Sequence, residues 1–357
     1  MTLRQLSILL LFLLPNGARA DVYRVAPDGS GDFATVQDAI MCAIDGDVIE
    51  LGRGVFAGPG NAGIDFGGRS VTVRSQTGNP SDCTIRVAEG QFGFRFASAD
   101  GPGSVLKGIS LVGGAIGIIC NGGAPTLERC SIRRCAQWGM RVEQGAPTLT
   151  ECEVIANGID GAGGGIAVWE GSGSFRRCRF EANGNALVAG DGAEVSATES
   201  LFRANMGGIE ARGAAWLTIS ACTLYGNHSE GAASDVYVEG GATATIENSI
   251  LAFGVGSQSV ACEGGMVSLA CSDLFGHTGE DWPACIASQL GRNGNIRIDP
   301  LFVDAEGGDF TLQAASACRP FSSPNASCDR IGWEALFDPF VPVVPVTWGT
   351  LKMRFHR

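Results

Sequence analysis

The chain has 357 residues, 45% of them hydrophobic and 17% charged, with 53 Gly but only 14 Pro. That balance excludes general disorder, and the lack of a strict triplet period excludes collagen. A formal net charge of −12 argues against nucleic acid and anionic lipid as partners.

Residues 1–20 read as a signal peptide. Arg4 gives the basic start, Leu6 to Leu14 an apolar stretch too short to span a bilayer, and Ala18-Arg19-Ala20 a cleavage site. No later segment has the length and apolarity of a membrane span. The expected location is extracellular or at the cell surface, with mature residues starting at Asp21. All 13 Cys follow the leader, so disulfides are open to the chain.

Residues 33–44 follow. Val36, Ile40 and Ile44 fall at i, i+4 and i+8, which predicts a helix with one apolar face. It is expected to plug the N-terminal end of what comes next.

From 115 to 277 the chain repeats itself. One unit recurs as Leu127-Glu-Arg-Cys130-Ser-Ile132, Leu149-Thr-Glu-Cys152-Glu-Val154 and Phe175-Arg-Arg-Cys178-Arg-Phe180. The anchors Cys130, Cys152, Cys178, Ser200, Cys222, Ser249 and Ser272 stand 22, 26, 22, 22, 27 and 23 residues apart. Asn157, Asn183, Asn205 and Asn227 lie five residues after their anchors. A second strand-like piece precedes each anchor, as in Gly139-Met-Arg-Val142, and a Gly-rich turn follows it. So short a unit cannot close a core alone, but it can stack as one coil of a solenoid. The expected fold is all-β: a right-handed parallel β-helix over residues 21–300, with an N-terminal capping helix. Leu127, Leu149, Phe175, Ile219, Ile246 and Leu269 should form one internal stack. Ile132, Val154, Phe180, Phe202, Leu224 and Leu251 should form another. The odd step from the first stack to the anchor implies a bend there. The Asn column suits the next bend, where its amide can bond the neighbouring coil. The Cys/Ser anchors read as small packing residues.

Residues 301–340 are expected to cap the far end, and 341–357 to be a linker and basic tail, either a frayed end or a sorting signal. Cys318 with Cys328 should staple a Pro/Ser/Asn loop. Cys262 with Cys285 should close the last coil's loop, with Cys271 as an alternative to Cys262, and Cys42 with Cys83 is a third pair. Asp304 and Asp309 flank Glu306-Gly307-Gly308, which lacks a full Ca²⁺-loop spacing and reads as a polar hairpin.

Tyr23 to Ile40 with Asp45-Gly-Asp-Val-Ile-Glu50 resembles the opening of bacterial right-handed parallel β-helix proteins of the pectin-lyase-like superfamily. Asp273 to Trp282, Gly294 to Phe302 and Cys328-Asp-Arg-Ile-Gly332 are similar to that group's C-terminal end. The opening also resembles that of pectin methylesterases. The resemblance spans nearly the whole mature chain. It implies architecture, and action on acidic polysaccharides only in those members that carry a catalytic cluster.

Such clusters are not evident. There is no N-T-D, D-D or G-H-G of a hydrolase and no lyase-like R-x-P-x-x-R. His228 and His277 fall in the turn column of the Asn residues and read as turn residues. One face carries chemistry: alternation points Arg141, Glu143, Trp169, Arg212, Tyr237 and Glu239 outward, with Glu210 among them and Glu170 and Asp191 at the adjoining turn. Aromatics on a flat face can stack on sugar rings while acids and Arg bond hydroxyls. A solvated sheet face accounts for the same pattern. The expected function is a monomeric, non-enzymatic surface for glycan or cell-surface contact. The alternative is a polysaccharide lyase or glycoside hydrolase, with Glu170, Asp191 and Glu210 as its acids. No cofactor is implied, and Ca²⁺ enters only with the lyase alternative.

Overall fold

The computed structural model describes residues 20–333 apart from positions 162 and 232. The expected leader, Ala20 aside, and the expected 341–357 tail lie outside the described residues.

Among the described residues, three parallel sheets of eleven, nine and ten strands run the length of the molecule. The chain visits them in turn, so each strand bonds to its counterpart one coil away. Thr126–Glu128 joins the eleven-stranded sheet, Ser131–Arg133 the ten-stranded one and Trp138–Glu143 the nine-stranded one. The next coil repeats this with Thr148–Thr150, Glu153–Ile155 and Gly164–Trp169.

The expected stacks form. Leu127, Leu149, Phe175, Ala197, Ile219, Ile246 and Leu269 are successive register partners, each buried. Ile132, Val154, Phe180, Phe202, Leu224 and Leu251 form the second file. Phe180 and Phe202 stack with centroids 4.6 Å apart. Each large apolar side chain removed from water contributes about 1.5–3 kcal/mol, which is what drives the coils together.

The bend before each anchor is a single residue with positive φ: Arg129 (49°), Glu151 (56°), Arg177 (53°), Glu199 (48°), Ala221 (52°), Asn248 (49°) and Cys271 (47°). That conformation costs about 1–2 kcal/mol for an L residue. It recurs because it turns the chain while keeping the apolar residues on both sides inward.

Helix α1 spans Val36–Cys42, shorter than the expected 33–44. Thr35 caps it by accepting from the Asp38 N–H. Val36, Ala39 and Ile40 are buried, but Ile44 lies beyond the helix and is 62% exposed. The backbone is already extended at Ala43, so the i+8 position leaves the apolar face.

Residues 296–331 fold back over the outer face of the ten-stranded sheet. Ile296, Leu312, Ala317, Cys318 and Ile331 form a second buried cluster with Ile250 and Ala252. Phe302 and Phe310 pack edge-on against Tyr225. Asp304 and Asp309 belong to a two-stranded hairpin and accept hydrogen bonds from the backbone of Gly307 and Thr311.

Two disulfides are present, Cys262–Cys285 and Cys271–Cys328. The expected Cys318–Cys328 bond is corrected, as is the alternative placing Cys271 with Cys285. Cys271 holds the positive-φ bend before the buried anchor Ser272, outside the anchor file, and there it meets Cys328. Cys318 is instead buried as a free thiol that donates to the Asp273 carboxyl. Cys42 and Cys83 are also unpaired: Cys42 is exposed at the end of α1 and Cys83 is buried.

Candidate functional site

The nine-stranded sheet carries the residues singled out by alternation. Its register puts Arg141, Ala167, Val188, Glu210 and Tyr237 in one outward column. Glu143, Trp169 and Gly190 share the next. At the turn that follows, Gln144, Glu170 and Asp191 occupy the same place in successive coils, each with φ between 50° and 56°.

These side chains separate into two groups. In the first, Arg141 pairs with Glu143 at 3.2 Å, and Gln144 Nε2 donates to Glu170 at 2.8 Å. Trp169 lies beside them with its indole across the backbone of Gly190, where a Cβ would collide with the ring. Glycine is needed there to leave room for the indole. Ser98, Asn121, Gly122, Glu143, Gln144, Trp169 and Glu170 line an open groove of about 410 Å³.

In the second group, Arg212 bridges Glu210 at 2.6 Å and Glu239 at 3.3 Å. The Tyr237 hydroxyl lies 2.8 Å from both Glu239 and Glu263. Hydrogen bonding to Glu263, then burial and Glu239, raise the Tyr237 pKa. Burial raises that of Glu210, and Arg212 opposes it. The acids and the tyrosine are tied to one another, leaving little of this group free for a ligand.

Asp191 and Glu210 do not line the groove, so the three candidate acids are not gathered in one cleft with it. Reading the residues alone missed Ser98, Asn121, Gln144 and Gly190. The coil Asn185–Gly190 escaped the repeat alignment because Ala186 stands where neighbouring coils have Gly. Aligning it would have set Gly190 opposite Trp169.

His277 belongs elsewhere. It holds the position five after its anchor but is no solvated turn residue: its ring is buried, with Nε2 2.6 Å from Asp235 and Nδ1 2.7 Å from Asp281. Arg297 pairs with the far oxygen of Asp281 at 2.7 Å. Burial alone would depress the His277 pKa, but the two carboxylates outweigh it and lift it to about 9. Burial works to raise Asp281, and the bonds from His277 and Arg297 bring it down to about 2. His228 falls one residue past Asn227, outside that column.

Comparison with known proteins agrees with this architecture. A family model described as a right handed beta helix region matches residues 164–253. The chain folds as a right-handed parallel β-helix. Pectate lyase Pel9A superposes with a TM-score of 0.53 at 15% identity, covering 88% of this chain and 98% of the lyase. A pectin methylesterase from carrot aligns at 15% identity over 85% of this chain and 93% of its own, with a TM-score of 0.30. No curated protein matches the chain. The likeness to the lyase is one of fold. Among the described residues no helix is long and apolar enough to cross a membrane.

Proposed function

We propose that the protein is exported and binds glycan chains, without cleaving them, in the groove beside Trp169. The observation that carries this reading is the indole packed across Gly190 at the edge of a groove rich in hydrogen-bonding side chains. A sugar ring has apolar C–H faces that stack on such a surface, and hydroxyls that Asn121, Glu143, Gln144 and Glu170 can bond. The pectate lyase fold supports a polysaccharide as the ligand class. The two disulfides suit an oxidising compartment, and the 1–20 leader supplies the route there. Against catalysis stands the partnering of the acids: Glu143 is tied to Arg141, Glu170 to Gln144 and Glu210 to Arg212.

The test is affinity electrophoresis of the mature chain in gels containing a panel of neutral and acidic polysaccharides, with and without Ca²⁺. Retention by at least one polysaccharide is expected, weakened tenfold or more by Trp169→Ala, about 1.4 kcal/mol of binding. Gly190→Val, which displaces the ring, should act in the same direction, while Tyr237→Ala changes less. Unchanged retention of Trp169→Ala would remove the proposal. New reducing or unsaturated ends that vanish in Glu170→Gln would replace it with an enzyme.

A further inference from the structure

A second cavity, of about 380 Å³, lies on the outer side of the ten-stranded sheet near its N-terminal end. Its position follows from two files of alternating charge that run along the coils. At the positive-φ bends, Arg177 stands between Glu151 at 3.8 Å and Glu199 at 2.6 Å. On the neighbouring strands, Arg179 pairs with Glu153 at 3.8 Å and with Glu181, which Arg203 approaches at 4.0 Å.

The bend file ends in a cation, while on the strands the Glu153–Arg179 column ends at Ser131 and Arg133 stands in the adjoining column, behind Ile155. Arg129 holds the bend position above Glu151, and Arg133 is two places toward the N-terminal end from Glu181. Among the described residues neither makes an ion pair. Arg133 is near enough to Glu153 to favour its charged form, but Glu153 is already bridged to Arg179. One coil further on, the next members would be Gly108 and Val112, and neither carries charge.

The segment Thr77–Asp82 walls the cavity on that side. It lies close because Gly108 has no side chain: a Cβ there would stand 2.7 Å from the Gly78 carbonyl oxygen. At the base is Ser110, fully buried, whose hydroxyl has no hydrogen-bond partner. Ser131, its register partner on the next coil, is buried beside it. A buried hydroxyl with no partner costs about 1–3 kcal/mol, which a bound polar group would recover.

We infer that this cavity binds a small acidic sugar, its oxyanion held by Arg129 and Arg133 and a ring hydroxyl bonded to Ser110. Asp82, Glu151 and Glu153 also line the cavity but are paired with Arg53, Arg177 and Arg179, and the anion takes the place of the carboxylate missing beyond Arg129 in the bend file. Arginine suits it because its fork can grip a carboxylate or a phosphate through two parallel bonds. The volume admits a monosaccharide. The inference is independent of the groove at Trp169.

Isothermal titration of the full chain at low ionic strength, with glucuronate, glucose 6-phosphate and glucose, tests it. At least one of the two anions should bind and glucose should not. The double variant Arg129→Ala/Arg133→Ala should weaken anion binding at least tenfold, and Ser110→Ala severalfold. Val112→Glu, which supplies a carboxylate beside Arg133 and keeps both arginines, should also weaken it at least tenfold, and remains informative where the double variant does not fold. Trp169→Ala should leave these heats unchanged. The inference is overturned by absence of heat with both anions, by glucose binding as tightly as glucuronate, or by Val112→Glu titrating like the parent chain.

Discussion

Two ladders of buried side chains run along this solenoid one above another, and they tolerate change differently. At the bend before the nine-stranded sheet, Asn157, Asn183, Asn205 and Asn227 are linked rung to rung. Each of the last three accepts from the backbone N–H and the side-chain amide of the asparagine before it, at 2.9–3.1 Å. Each amide also donates back to a strand carbonyl: Asn157 to Ile132, Asn183 to Val154, Asn205 to Phe180, Asn227 to Phe202. At the bend between the eleven- and ten-stranded sheets, Cys130, Cys152, Cys178, Ser200, Cys222, Ser249 and Ser272 form the other. There the side chain accepts one backbone N–H, as Ser200 does from Cys178 and Ser249 from Cys222. The asparagine must span two separate bonds with a donor and an acceptor in a fixed planar geometry, so its identity is constrained. The anchor must be small and carry one group that accepts from that N–H and donates to the carbonyl two residues back, which thiol and hydroxyl both do, so the two interchange.

The end of the asparagine ladder is where that comparison is most sharply broken. Asn227 donates to Asp235 at 2.9 Å, and His277 then reaches Asp235 across an intervening coil. Gly254 holds the ladder position in that coil, and a Cβ there would stand 2.8 Å from the His277 ring. Replacing His277 with Gln removes the cation shared by two buried carboxylates, leaving Asp281 to Arg297 and Asp235 to the Asn227 amide, so a loss of about 3–5 kcal/mol is expected in urea unfolding at pH 6. The pH dependence has a definite sign. With a folded pKa of about 9 against 6.5, His277 stabilises fully below pH 6.5, and the gain is lost as pH rises through 9. With a folded pKa of about 2 against 3.8, Asp281 stabilises above pH 3.8, and the gain is lost as pH falls through 2. The stability gap between parent and His277→Gln should therefore be widest between about pH 4 and 6.5, and shrink by about 3 kcal/mol by pH 9 and above. A gap independent of pH from 6 to 9.5 would show that the ring is neutral in the fold.

Asn183→Ala tests the ladder's middle. It leaves the Asn157 N–H buried without its partner, at about 1–3 kcal/mol, and takes from the Val154 carbonyl its side-chain donor. A loss of about 3 kcal/mol is expected, read as a lowered urea midpoint with little change in slope. Aspartate at the same position keeps the acceptor and loses the donor, so it should fall between.

Much of the frame was legible because coils in register repeat their chemistry. Leu149 over Phe175 and Asn183 over Asn205 are visible as a period, and the buried files follow from it. What escaped was non-periodic. Cys271 is the cysteine of the bend column, beside the anchor Ser272, and it, rather than Cys318, pairs with Cys328. His277 reads as one more turn residue until Asp235, 42 positions earlier, is brought beside it. On the nine-stranded sheet the outward residues were identifiable from alternation. Their division into an open group at Trp169 and a closed group at Tyr237 was not, since it depends on Gly190 and on carboxylates from neighbouring coils.

Ser200→Cys makes the smallest change and bears most directly on the contrast between the ladders. Ser200 accepts from the Cys178 N–H at 3.0 Å and donates to the Thr198 carbonyl at 2.8 Å. A thiol at that rung reproduces both contacts more weakly, as Cys152 and Cys178 already do for Cys130 and Arg176. It also adds volume to a site flanked by Cys178 and Cys222, which accept the same size of atom. The weaker acceptor and the better apolar packing oppose each other, so the unfolding free energy should move by less than about 1 kcal/mol. Burial holds the neighbouring Cys222 thiol protonated, with its pKa raised to about 12, so the new cysteine should also resist alkylation by iodoacetamide at pH 8 until the chain is unfolded. A loss as large as that of Asn183→Ala would mean that the two bonds of an anchor are as demanding as those of an asparagine, and that the choice of thiol or hydroxyl is specified rung by rung.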